Sequence, residues 1–178
     1  WTDVDGDGCD TRNEILARDL TDADFSRADG VQPREEGRGQ GAGVCPDATV
    51  WAGALQDPYT GRRITFTRGQ ETSAAVQIDH VVALSNAWQT GAQDIGEEKR
   101  RELANDPENL VAADGPANMQ KSDADASDWL PGNTAYRCTY VARQVHVKAK
   151  YRLWVTADEK RVMENVLNSC KDTNPVKK

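Results

Sequence analysis

Only two histidines, His80 and His146, occur in 178 residues, and the four cysteines form no C-x-x-C pair. Cys9, Cys45, Cys138 and Cys170 are spaced too widely for a zinc ribbon or a thioredoxin-type site. No run approaches the roughly 20 consecutive apolar residues of a membrane-spanning helix. Nor is a leader peptide or a lipidation motif read in the chain. It opens on Trp1, inside what reads as a motif, as expected of an exported protein whose signal has been removed. Excess positive charge is missing too: the net charge of -7 argues against a generally adhesive nucleic-acid binder.

What is present is unevenly distributed. Residues 1–60 carry 13 acidic and five basic side chains, a balance of -8, whereas residues 61–178 carry 16 acidic and 17 basic, a balance of +1. Between Arg137 and Arg152 stand five basic residues (Arg137, Arg143, Lys148, Lys150, Arg152) and no acidic one. The even cysteine count without metal spacing predicts two disulfides in an exported protein. Three pairings are open, of which the simplest by region joins Cys9 to Cys45 and Cys138 to Cys170.

Periodicity gives one domain of mixed helix and strand. A helix is expected over 11–20 and a long Gly-rich loop over 26–47. Two strands, 48–55 and 62–67, flank the turn Asp57-Pro58-Tyr59-Thr60-Gly61. A buried strand is expected over 75–82, helices over 84–91 and 97–105, a short strand over 109–113, and a helix over 116–121. Long helices follow at 133–151 and 156–170, the second opened by the capping-box sequence Thr156-Ala157-Asp158-Glu159.

One constellation carries chemistry. Asp79-His80 closes the apolar strand, Asn109 opens the next, Asn118 follows nine residues on, and Lys121 lies one helical turn beyond Asn118. If the strands pair under the helix, Asp79, His80 and Asn118 converge on one cleft. Asp79-His80-Val81-Val82, Asn109-Leu110 and Asn118 together resemble the ββα-metal motif of HNH endonucleases. Cys9-Asp10-Thr11-Arg12-Asn13-Glu14, the turn at 57–61, Ala87-Trp88, Ala104-Asn105-Asp106-Pro107 and Trp129-Leu130-Pro131 narrow the resemblance. They are similar to a secreted bacterial branch related to the GmrSD C-terminal domain. The last motif position is Asn118 rather than the His of the simplest pattern.

The resemblance implies an α+β fold: a ββα-metal core with added helices and an N-terminal acidic loop, disulfide-linked, in a single domain spanning 1–178. Residues 1–20 would be a calcium-loop-like segment and helix, 48–131 the core with its hairpin, and 133–170 the C-terminal helices. His80 would be the general base, because imidazole titrates near neutrality. Asp79 and Asn118 would ligate one divalent cation; their hard oxygens favour Mg²⁺ or Mn²⁺, and that ion would stabilise the leaving 3′-oxygen. Asn109 would hold the His80 loop by side-chain to backbone bonds. The implied activity is hydrolysis of DNA, with RNA as an alternative substrate, at little sequence specificity and with 5′-phosphate products. The implied protein is extracellular and monomeric.

Each assignment has a plainer rival. His80 in isolation would read as a core histidine, Asp79 as a turn acid, Asn118 as a surface amide, Lys121 as a solvated lysine, and His146 as an interface filler. Candidate phosphate contacts are Arg12, Lys121, Arg62, Arg63, Arg100, Arg101, Arg137 and Lys148, the last two lying in the basic stripe. The opening Asp3-Val4-Asp5-Gly6-Asp7-Gly8-Cys9-Asp10-Thr11-Arg12-Asn13-Glu14 matches the EF-hand loop pattern D-x-D-x-D-G-x5-E. Asp3, Asp5, Asp7, Thr11 and Glu14 would then hold a structural Ca²⁺, whereas the competing reading gives Glu14 to the catalytic site. Two rivals to the nuclease reading stand. One is a calcium-stabilised secreted binding module with an inactive nuclease-like core, and the other a toxin or restriction-type effector.

Overall fold

The structure, a computed structural model, describes Trp1, Asp3, residues 9–27 and residues 48–170. Asp5 and Asp7 of the calcium-loop reading, Cys45, and residues 28–47 of the expected loop lie outside the described residues. The chain divides into two compact units: Trp1–Asp79 with Leu110–Asn118, and His80–Asn109 with the chain from Met119 onward.

The first unit begins with helix α1 (Thr11–Asp19). Asp10 caps it, its side chain accepting from Asn13 N at 3.0 Å, which satisfies a helix-start donor. Ile15 and Leu16 point from α1 into a core with Val50, Leu55, Phe66, Val76, Ile78, Leu110 and Ala112. Polar side chains of α1 fasten it to its surroundings. Asn13 Oδ1 accepts from Val50 N at 3.1 Å and from Arg68 at 2.6 Å. Arg18 donates to Leu110 O at 2.7 Å, and Asp19 accepts from Ala112 N at 2.8 Å.

Strands β1 (Leu20–Arg27), β2 (Ala48–Gln56) and β3 (Arg63–Thr67) form an antiparallel sheet in that order. The β2–β3 hairpin forms where the turn chemistry places it, with Gln56 opposite Arg63 and Gly61 at φ 74°. Strand β1 is not foreseen in the sequence. Its register against β2 shifts between Thr21 and Asp24 and again before Phe25, and Asp22 adopts φ 52°. These irregularities break the two-residue alternation by which a strand is recognised. Strands β4 (Val76–His80) and β5 (Leu110–Asp114) make a separate two-stranded pair. The expected strand over 75–82 is thus shorter, opened by a 3₁₀ turn at Ser73–Ala75. Helix α4 (Gly115–Lys121) follows β5 directly.

The second unit is helical. Helices α2 (Leu84–Gln89) and α3 (Glu97–Asn105) lie close to the expected spans. Helix α5 (Arg137–Lys150) starts after a 3₁₀ turn at Thr134–Tyr136, later than expected, and α6 is Ala157–Ser169. Val82, Ala87, Ala92, Leu103, Val147, Tyr151 and Leu153 form the core. Thr156 caps α6 by accepting from Glu159 N at 3.1 Å. The Glu159 side chain is fully buried and stands 2.6 Å from Lys148 Nζ of α5, an ion-pair distance without hydrogen-bond alignment. Burial pushes the Glu159 carboxyl up, and Lys148 opposes that shift.

Cys138 and Cys170 are disulfide-bonded, with Cα atoms 5.9 Å apart, so the second of the two simplest pairings is found. Cys9 is disulfide-bonded as well. The Cys138–Cys170 bond closes a chain separation of 32 residues around α5 and α6. Replacing both cysteines by serine should lower unfolding free energy by roughly 2–4 kcal/mol, read by chemical denaturation. An unchanged midpoint and slope would mean that helix packing alone fixes the pair.

Candidate active site

The division of the chain falls inside the motif. Asp79 and Asn118 belong to the first unit, and His80, Asn109 and Lys121 to the second. Asp79 and His80 are nonetheless consecutive residues, joined by one peptide bond.

In the first unit, β4 alternates. Val76 and Ile78 enter the core, so Gln77 and Asp79 share the opposite face. Asp79 is buried, and its Oδ2 accepts from the phenol of Tyr59, which is also buried. Asn118 of α4 donates Nδ2 to Gln77 Oε1 at 2.9 Å, which draws it to the strand face that carries Asp79. A carboxylate and an amide are hard oxygen donors, the type that suits Mg²⁺ or Mn²⁺ and not a thiolate-loving ion. Among the described residues no group of three or more His, Cys, Asp or Glu is gathered for a metal.

The second unit holds the imidazole. His80 Nε2 lies 2.8 Å from the Ala104 carbonyl. A carbonyl only accepts, so Nε2 carries a proton and donates it to Ala104 O. The backbone after His80 is held by Asn109, whose side chain is fully buried. Asn109 Oδ1 accepts from Val82 N at 2.8 Å, and Nδ2 donates to Val82 O at 3.2 Å and Leu103 O at 3.4 Å. Its own carbonyl accepts from Val81 N at 2.7 Å. One asparagine thus takes the place of a strand neighbour for the two residues that follow His80.

Lys121 corrects an expectation. It is fully buried, and Nζ donates to the His80 carbonyl at 2.8 Å. A side chain without exposed surface does not reach a polymer phosphate; Lys121 holds main chain instead. Lys148 is a second correction, being only 3% exposed and paired with Glu159. Arg137 is half-buried and donates to Pro131 O at 2.8 Å. Elsewhere on the stripe Arg143 donates to Glu108 O at 2.9 Å. Lys150 pairs with Asp106 at 2.8 Å and Glu108 at 2.6 Å, and His146 meets Glu108 at 3.2 Å. Burial works against charge on Asp106, but bonds from Lys150, Glu108 N and Tyr151 outweigh it and hold the carboxyl below its ordinary range. Lys148 and Lys150 are thus paired with carboxylates where they stand, and Arg137 and Arg143 are turned onto main-chain carbonyls.

The remaining candidates are scattered. Arg100 donates to the Ile95 carbonyl and lies 5.6 Å from the Trp88 ring centroid, while Arg101 is exposed. Arg12 donates to Val76 O at 3.4 Å; burial, then the charge of Arg68, lowers its pKa. Glu14 lies in the first turn of α1, Thr11 is fully buried at its first position, and Asp3 is exposed.

Comparison with known proteins bears on this arrangement. Residues 41–166 match the family described as GmrSD restriction endonucleases, C-terminal domain. The chain belongs to this family. An "Uncharacterized secreted protein" of Arthroderma benhamiae is 34% identical over 172 residues, covering 96% of this chain and 72% of that protein. The disulfide is consistent with the extracellular location that this relative's name carries. In this GmrSD-type domain, sequence reasoning missed two residues at the site, Tyr59 and Gln77. The first was visible only as part of the turn at 57–61. The second was signalled by nothing beyond its alternation with Asp79.

Asn109→Ala should leave Val82 N–H buried without its acceptor and cost on the order of 3 kcal/mol in chemical denaturation. A loss no larger than that of an exposed-site substitution would show that Val82 finds another acceptor.

Proposed function

We propose that the protein is a secreted, metal-dependent endonuclease that hydrolyses phosphodiester bonds of DNA, with little sequence preference. The observation that carries this reading is the His80–Ala104 hydrogen bond, which makes Nε2 the donor and so supports Nδ1 as the base. Membership of a nuclease-type family supplies the context. The hard oxygens of Asp79 and Asn118, the latter bonded to Gln77 on the Asp79 face of β4, support a cation site.

In this mechanism a water molecule gives its proton to His80 Nδ1 as its oxygen bonds to phosphorus, and the bond from phosphorus to the 3′-oxygen breaks. The imidazolium formed keeps its Nε2–H on the Ala104 carbonyl, so the ring does not need to turn during proton transfer. Asn109 and Lys121 hold the backbone on either side of the motion, at Val82 and at the His80 carbonyl. Asp79 and Asn118 would bind Mg²⁺ or Mn²⁺, which supplies positive charge against the leaving oxygen. The absence of any zinc finger or helix-turn-helix pattern favours backbone contacts over base readout.

Plasmid nicking in Mg²⁺ tests the reading. His80→Ala should lower the rate roughly 10²–10⁴-fold. Asn118→Ala should cut activity severely and EDTA should stop it, while Arg161→Ala, exposed on α6, cuts like the parent. If the folded parent nicks no substrate, single- or double-stranded, the binding-module reading replaces the enzyme. If Asn118→Ala cuts normally, the ligand assignment falls.

Lys121→Met should leave the salt dependence of DNA affinity unchanged, since the ammonium is turned onto main chain. A slope of log affinity against log salt that falls by about one would reassign Lys121 to a phosphate.

A further inference from the structure

We infer that Tyr59 and Gln77 are positioning residues that aim the two cation ligands, a step that rests on Asp79 and Asn118 holding a divalent ion. All four residues belong to the first unit. Each ligand has one terminal atom engaged by a neighbour. Tyr59 O–H donates to Asp79 Oδ2, and Asn118 Nδ2 donates to Gln77 Oε1. The assignment that follows is the amide oxygen of Asn118, not its nitrogen, as a coordinating atom, with the Asp79 carboxylate oriented by Tyr59. An amide turned the other way would present N–H₂ to a cation and repel it. Gln77 prevents that turn by accepting from Nδ2.

Tyr59 is itself held, and α4 is drawn close to Gln77. Tyr59 is 1% exposed and sits in the turn between β2 and β3. Asp57 ties this turn down: its Oδ2 accepts from Thr60 N at 2.6 Å, and its Oδ1 accepts from Asp114 N at 2.9 Å. The phenol is thereby fixed against the junction of β5 and α4. Asp114 in turn caps α4, accepting from Ala117 N at 2.9 Å. At Gly115 a Cβ would lie 2.1 Å from the Ala74 carbonyl oxygen and 3.3 Å from Gln77 Nε2. Only glycine lets the start of α4 pass so close to the chain leading into β4. That close passage brings Asn118 within reach of Gln77. Polar neighbours that orient metal ligands typically change metal affinity 10–100-fold when removed.

Direct Mn²⁺ binding to the full chain, followed by the EPR signal of the free ion, tests this without reference to cleavage. The relevant binding is the component that Asp79→Asn abolishes. For that component, Tyr59→Phe and Gln77→Met should each weaken affinity 10–100-fold, while the metal-free melting temperature shows the variants folded. Should Tyr59→Phe not fold, Gln77→Met decides the matter. Parent-like affinity in the folded variants overturns the positioning role and leaves the cation site standing. If no binding component is lost in Asp79→Asn, the cation reading fails and the positioning role falls with it.

Discussion

The buried amide of Asn109 is the constraint on which the second unit turns. Its side chain satisfies both the N–H and the C=O of Val82, and its own carbonyl takes the N–H of Val81. An amide can do this because it carries a donor and an acceptor side by side, as a peptide group does. The chain leaving β4 is held as though a strand lay beside it, although β5 begins only at Leu110. Lys121 adds a bond to the His80 carbonyl, and Ala104 fixes the ring. The imidazole proposed as the base thus rests on backbone pinned by the side chains of Asn109 and Lys121.

Charge in this chain does more internal work than its surface distribution implies. Arg18 and Asp19 both close on β5, Arg68 meets Asn13, and Lys148 meets Glu159 inside the helical unit. The motif Cys9-Asp10-Thr11-Arg12-Asn13-Glu14 narrows the family resemblance in the sequence and overlaps the calcium-loop pattern. In the fold, Asp10 caps α1, Asn13 bridges to Val50, and Thr11 is buried between them, so Asp10 and Asn13 fasten the helix. Buried polar groups of this sort are expensive to leave unpaired, which ties their identities to one arrangement of the backbone.

How much of this could be read in advance depends on whether a residue's role is local. Helix α3, the hairpin turn and the Thr156 cap follow from spacing and turn chemistry over a few residues, and the expected spans lie close to those observed. His80, Asp79, Asn109 and Asn118 were visible because a motif fixes their order and separation. Lys121, Lys148 and Glu159 were not, because a lysine or glutamate carries the same local signal whether solvated or buried. Its partner here lies 11 residues away for the ion pair and 41 for Lys121. Strand β1 was hidden by its own irregular register. Tyr59 looked like turn filler because the carboxylate it meets lies 20 residues on.

The disulfide between Cys138 and Cys170 has a consequence beyond thermodynamics. The segment linking α5 to α6 exposes Arg152, at φ 56°, and Trp154. Arg152 is the residue type after which a trypsin-like protease cuts. Leu153 beside it, however, is a core residue whose N–H bonds to Lys148 O, so a cut there needs local opening first. A cut there would not release α6: the two sulfur atoms would keep the severed halves on one covalent body, at high effective concentration. The Lys148–Glu159 contact could then re-form after each opening, and a clipped molecule would survive as a two-chain protein.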